Sequence, residues 1–459
     1  MMQLLAIDWS VVGVKAGQLI LALSILVILH EFGHYITARW FGCRVEKFYL
    51  FFDPWFSLFK KKVGDTEYGV GWLPLGGYVK ISGMIDESMD KESMKLPPQP
   101  WEFRSKPAWQ RLIIMLGGII MNVIVAVVIY AMVLFTWGDK KIPGDSIKYG
   151  IAVTDSTLYK MGLRNGDKIL SIDGHKVSDF EHLLKSILLS ENVITIERNQ
   201  QVQDLKVPID LLGQLIENKK KGRISLIEPR KPSMVFYVPD TSDAYKGGLR
   251  KNDKIIEIDN TPIVYHDDII SVLKDKANQS VQVKVNRNDS IIGLALKINA
   301  DAKIGFVPYG YDYFQMDSLG WLKMVITKYS FVESIPAAVS KAKGDLNFYV
   351  AQFKKMGNYK TGAYKGMGGF KGIANAFPGE WNWESFWSMT AFLSIVLAFM
   401  NLLPIPALDG GHVMFTLYEM ITRRKPNEKF LEYAQMAGMI LLLLLMLYAN
   451  GNDWFGWGK

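Results

Sequence analysis

Residues 18–38 read Gln-Leu-Ile-Leu-Ala-Leu-Ser-Ile-Leu-Val-Ile-Leu-His-Glu-Phe-Gly-His-Tyr-Ile-Thr-Ala. An apolar run ends in His30-Glu31-Phe32-Gly33-His34. On a helix, positions i and i+4 share a face, so His30 and His34 can grip one metal ion. Glu31 lies beside them, placed to take a proton from water at that ion. An HExxH pattern on a polar surface helix is a common accident. Here no polar residue separates Ser24 from His30. Ionisable side chains at the end of a bilayer-length segment are costly, which marks them as functional.

Composition sets the frame. The chain has 459 residues, of which 49% are hydrophobic. It is too apolar for a disordered chain and too charged to lie wholly in a membrane, so part of it is soluble. The net charge of +8 comes without a basic stripe interleaved with aromatics. That argues against a nucleic-acid partner and for basic loops facing anionic lipid. Cys43 is the single cysteine, which excludes an intrachain disulfide and a cysteine-based zinc site. Any metal must be held by His, Asp or Glu. The first apolar segment lacks a basic leader and an A-x-A cleavage site, so it reads as a retained span rather than a signal peptide.

Taken in order, residues 1–137 form the first part of a membrane domain, with spans at 17–39 and 112–137. Arg39, Arg44, Lys47 and Lys60-Lys61-Lys62 make the loop after the first span cytoplasmic, with the N-terminus outside. The aromatic stretch Phe48–Phe59 reads as a segment lying on the membrane surface. Residues 67–82 alternate around Gly76-Gly77 and read as a β-hairpin, whose backbone survives at membrane depth only inside a protein or water cavity. Its edge offers hydrogen bonds to an extended peptide. Ser88–Pro100 reads as a loop. Asn122, inside the second span, reads as a bond to a neighbouring helix.

A repeat follows. Tyr159–Gly174 (YKMGLRNGDKILSIDG) and Tyr245–Asn260 (YKGGLRKNDKIIEIDN) agree at ten of sixteen positions, 86 residues apart. Two α+β domains are expected, at 138–218 and 224–302, with a linker at Lys219–Gly222. Their G-L-x-x-x-D-x-I-x-x-I-D-G/N pattern resembles PDZ domains. Residues 303–383 form an amphipathic, then Gly-rich, connection. Residues 384–459 complete the membrane domain with spans at 384–408 and 433–450. Arg423, Arg424, Lys425 and Lys429 place the loop between them in the cytoplasm. The repeats and both termini then share the opposite side.

Asn401–His412 reads Asn-Leu-Leu-Pro-Ile-Pro-Ala-Leu-Asp-Gly-Gly-His. Its prolines cannot continue a helix, so its broken backbone must be satisfied inside the bundle. The segment ends the third span at the same depth as His30. Asp409 then adds a carboxylate to two His and leaves the fourth position to water, a catalytic zinc arrangement, with His412 as the alternative third ligand.

The pairing of HEFGH with N-x-x-P-x-P-x-L-D-G-G-H resembles the site-2 protease family of intramembrane zinc metalloproteases, and the span and repeat order resembles its bacterial regulator-of-sigma-E protease type. The resemblance implies an α-helical polytopic membrane protein with four transmembrane helices, a membrane re-entrant β-hairpin, and two PDZ-like domains between spans two and three. It implies one Zn2+ per chain on His30, His34 and Asp409, with Glu31 as general base. It places Gly69, Gly71, Gly76 and Gly77 of the hairpin, and Asn401, Pro404 and Pro406, near substrate. The implied substrates are single-span membrane proteins such as anti-sigma factors and remnant signal peptides, cut within or near the spanning helix after an upstream site-1-type protease has trimmed them. The implied setting is an inner membrane with periplasmic repeats. Two departures, Gly117-Gly118 for the family's frequent Gly-Pro and Gly368-Gly369-Phe370 for Ser-Gly-Pro, are expected to lie away from the metal. A peptide-retaining scaffold with a structural metal is the rival from another class, though such a site needs no base. A transporter with a midplane metal leaves the repeats unexplained.

Overall fold

A computed structural model of the chain describes residues 8–74, 76–84, 97–218 and 226–457, apart from the side chain of Glu428. The expected linker at Lys219–Gly222 and most of the expected Ser88–Pro100 loop lie outside these residues. The chain divides into two units, the first comprising residues up to Gly138, Lys328–Phe353 and everything from Met367 onward. The second comprises Asp139–Thr327 and Lys354–Gly366.

Among the described residues, the first unit holds four helices long and apolar enough to cross a membrane. Helix α1 (Trp9–Trp40) starts eight residues before the expected span, because Asp8 caps it by accepting from the backbone of Ser10 and Val11. Helix α2 (Ala108–Trp137) packs on α1, backbone against backbone. A Cβ on Gly33 would stand 2.2 Å from the carbonyl oxygen of Gly117. Helix α3 (Phe331–Gly357) precedes the third candidate span, α4 (Trp383–Leu402). Ser394 of α4 donates to the backbone oxygen of Asn122 over 2.7 Å, fixing α4 against α2. The expected span to 408 is therefore shorter. Residues 403–408 are not helical, and a separate helix α5 (Asp409–Thr422) leads to the fourth candidate span, α6 (Glu428–Phe455). The faces of α6 bearing Leu443, Leu444 and Leu447 are exposed, as suits contact with lipid tails.

Between α1 and α2 lies a four-stranded sheet of β1 (Val45–Leu50), β2 (Phe52–Val63), β3 (Thr66–Leu73) and β4 (Tyr78–Ile81), in the order β2-β3-β1-β4. Phe48–Phe59 is strand on both sides of Phe51, with Trp55, Phe56 and Phe59 exposed. One expectation is corrected here. Residues 67–82 are not a hairpin, because β1 separates β3 from β4, running parallel to β3 and antiparallel to β4. The hairpin of this sheet joins β2 to β3. A parallel neighbour is a non-local choice that needs a crossover, and residues 51–65 supply it. The packing selects this order: the ring of Tyr49 on β1 fills the space over Gly69, where a Cβ would come within 2.2 Å of it.

The second unit carries the repeat as two sheets of matching order, their central strands at Lys168–Ile172 and Lys254–Ile258. Each has its own apolar core. Each also keeps one buried ion pair at the equivalent place: Arg198 holds Asp167 with two hydrogen bonds of 2.7 Å, and Arg287 holds Asp253 with bonds of 2.6 and 2.7 Å. Both aspartates are fully buried, so losing either arginine would strand a charge. The copies extend past the expected boundaries. Ile227–Pro229 pairs with Ile151–Val153 of the first, and Val307–Pro308 pairs with Val235–Tyr237 of the second. Met316, Trp321 and Leu322, expected in the connecting region, are buried in the first copy's core.

His266 in the second copy is half-buried with its ring edge-on to Phe306, and its buried Nδ1 has no partner among the described residues. Burial, with Lys231 nearby, pushes its pKa down to about 4. The folded ring is neutral, so its contribution is full above the unfolded pKa near 6.5 and is lost as pH falls through that folded value. Acidification from pH 7 to 4 should cost this domain up to about 3 kcal/mol, a cost absent in His266→Phe. Hydrogen-exchange mass spectrometry of peptides from this domain, comparing the two proteins at each pH, measures it.

Candidate metal centre

His30 and His34 lie one turn apart on α1, and their Nε2 atoms are 3.4 Å from each other. The Oδ2 of Asp409 is 3.2 Å from each. Among the described residues, these three form a group able to hold a metal ion, and His412 is not part of it. A tetrahedral ion with bonds of about 2.0–2.2 Å to N and O requires ligand separations of about 3.3–3.5 Å, which this triangle approaches. Asp409 Oδ2 is buried and, among the described residues, receives no well-aligned hydrogen bond, even from the two nearby ring nitrogens. Three lone-pair donors facing one point fit a zinc ion.

Each ligand is set by its surroundings. The Nδ1 of His34 lies 2.9 Å from the backbone oxygen of Ile114, which can only accept. His34 therefore carries its proton on Nδ1 and presents the lone pair of Nε2 to the centre of the triangle. The Nδ1 of His30 lies 3.1 Å from the amide of Asn122, whose Oδ1 is buried without a partner among the described residues. Turning that amide over lets Oδ1 accept from an Nδ1–H of His30, which satisfies both groups and frees Nε2. The expected helix–helix bond of Asn122 thus ends on His30, one corner of the triangle. Gly118 is a correction. A Cβ there would stand 2.4 Å from His34 Nε2 and 2.6 Å from His30 Cε1, so this departure from Gly-Pro touches the site directly. Gly118 and Asn122 are i and i+4 on α2, a spacing that marks one face but does not say what that face meets.

Asp409 is the first residue of α5, where the helix dipole favours a carboxylate. The preceding break carries Pro404 and Pro406 and holds Ala407 at φ +82°, a strain of about 1–3 kcal/mol. The surroundings clamp it. A Cβ on Gly410 would meet the carbonyl oxygen of Leu403 at 2.1 Å, and one on Gly438 of α6 would meet that of Pro406 at 1.6 Å.

Glu31, the two His and Asp409 line one cavity of about 660 Å³, together with Tyr78–Ile81 of β4. Gly77 also lines it. Gly69 and Gly71 do not; Tyr49 and the carbonyl of Phe52 occupy the space their side chains would take, and the ring of Phe52 does so for Gly76. Asn401 comes within 3.4 Å of His30 Nε2, whereas Pro404 and Pro406 lie in the break between α4 and α5 and do not line the cavity. Asp53, Lys47, Lys80 and Gln435 also line the cavity; no motif in the sequence singled them out.

Residues 18–445 match the family model described as Peptidase family M50. The chain belongs to this family, that of the site-2 proteases. It is similar to the Regulator of sigma-E protease RseP of Escherichia coli, 29% identical over 95% of this chain and 97% of the relative. It is likewise 29% identical to a putative zinc metalloprotease of Rickettsia conorii, over 95% of this chain and 96% of that one. The RseP of Salmonella typhimurium is 27% identical over 98% and 99%. The protein is a zinc metalloprotease.

Removing an outer partner of a ligating His costs about 10–100-fold in metal affinity. Asn122→Leu should lose zinc in that range, and Gly118→Val, which pushes both rings, at least as much. Zinc retained against a graded chelator measures both; wild-type retention in both would show that these contacts do not hold the ligands.

Proposed function

We propose that this protein cuts single-span membrane proteins within or near their spanning helix, using His30, His34 and Asp409 as zinc ligands and Glu31 as general base. The observation that carries the reading is a ligand triangle set among candidate membrane spans and sharing its cavity with Glu31 and an edge strand. When bound, zinc supplies Lewis acidity that polarises the scissile carbonyl and acidifies water. Glu31 takes a proton from the attacking water and gives it to the leaving amine. A substrate helix hides its carbonyls in internal hydrogen bonds and must unwind. The edge of β4 offers replacements by strand addition, the role of a re-entrant element.

Within the same proposal, the repeats are PDZ-like filters on the periplasmic side. The N- and C-termini share that side, and the active site lies toward the cytoplasmic face of an inner membrane. Relatives named for regulating sigma-E support anti-sigma factors as substrates, with trimming by another protease beforehand, and remnant signal peptides as a second class.

Glu31→Gln should keep its zinc and lose at least a hundredfold in cleavage of a single-span substrate in membranes. Cleavage at the wild-type rate with zinc retained would show that Glu31 is not the base.

A further inference from the structure

A second cavity of about 230 Å³ adjoins the first. The two share Met84, His412 and Gln435, which form the wall between them. Gln435 is 9% exposed on α6, and its amide has no hydrogen-bond partner among the described residues. Its amide is not sealed off but opens on the cavities it lines, so it is free to meet a polar group there. Its neighbours say what kind. Beyond these shared residues the walls include Phe103, Phe415 and Leu431; Arg104 pairs with Glu102 at 2.6 Å and Arg111 pairs with Glu419, and the remaining charge on the lining, Lys425, is exposed to solvent. With both arginines neutralised, the cavity suits an uncharged group better than a phosphate or carboxylate. An intact helix, about 10–12 Å across with its side chains, is too wide for this space, whereas an extended backbone with one side chain is not.

We propose that the second cavity is a subsite for the unwound stretch of substrate next to the scissile bond, holding an uncharged side chain, and that Gln435 hydrogen-bonds the main chain as it passes the neck. The proposal rests on the proteolytic reading above and deepens it. An unwound strand inside a membrane needs partners for its N–H and C=O groups. The edge of β4 serves the segment in the first cavity. A glutamine amide, donor and acceptor at once, serves the next residue on the other wall. Met84 and His412 complete the constriction and limit it to extended chain.

The test uses the full-length Glu31→Gln protein in lipid vesicles, with p-benzoylphenylalanine replacing Phe415 in the second cavity or Met439 in the first. The probe is a reporter with one leucine-rich spanning helix weakened by a central Gly-Ser pair. Both positions should capture the reporter, with position 415 marking residues a few places along the chain, on one side of those marked from 439. Capture from 439 with none from 415, or with lipid alone from 415, overturns the subsite while leaving the proteolytic reading in place. Capture from neither overturns both. In the active protein, Gln435→Leu should lower kcat/KM at least tenfold at unchanged zinc content, and Gln435→Asn should recover part of the loss. An unchanged kcat/KM in Gln435→Leu overturns the role of the amide.

Discussion

Three lone-pair donors, two ring nitrogens and a carboxylate oxygen, converge to 3.2–3.4 Å of one another inside a bundle of candidate membrane spans. Left to themselves such groups are expensive to bury, and a cation between them turns that cost into binding free energy. Much of the first unit can be understood as the means of holding them there. The ligands come from opposite ends of the chain, so no local structure can assemble the site; it exists only when α1, α2 and α5 are packed.

The two sides of the centre are held by different devices. On the histidine side, α1 and α2 approach without side chains between them, and the space of Gly118 belongs to the imidazoles. A carbonyl oxygen and an amide then fix each ring from behind. On the aspartate side the chain gives up a regular helix. Pro404 and Pro406 end α4, Ala407 bears the strain, and α5 restarts with Asp409 at its N-terminus. Gly438 lets α6 lie directly on the break. A backbone segment without helical hydrogen bonds is tolerated at membrane depth only when protein encloses it, which is also what shapes the cavity.

Much of this was legible beforehand because it is local. The apolar runs give the spans, HExxH gives two histidines one turn apart, and the prolines beside Asp409 forbid a helix there and point to a carboxylate in the bundle. The repeat is visible because it recurs in register. What escaped is what depends on distant partners. The alternation in residues 67–82 is a genuine strand signal, yet it cannot say that β1 will insert between its halves. Asn122 reads as a polar residue in a span, and nothing local says that its neighbour is His30. The strands Ile227–Pro229 and Val307–Pro308, which pair with the repeats from outside 138–218 and 224–302 respectively, were hidden for the same reason. Gly118 shows a subtler limit: a small residue announces close approach without naming what approaches.

The claim on which everything else stands is that the metal is held by two histidines from the first span and one carboxylate from the far end of the chain. X-ray absorption at the zinc edge of the full-length protein tests it directly. A nearest shell of nitrogen and oxygen at about 2.0–2.2 Å, with outer-shell scattering from two imidazoles that is unchanged in His412→Ala, is the predicted result. A third imidazole that disappears in His412→Ala, or a sulfur ligand at about 2.3 Å, would contradict it.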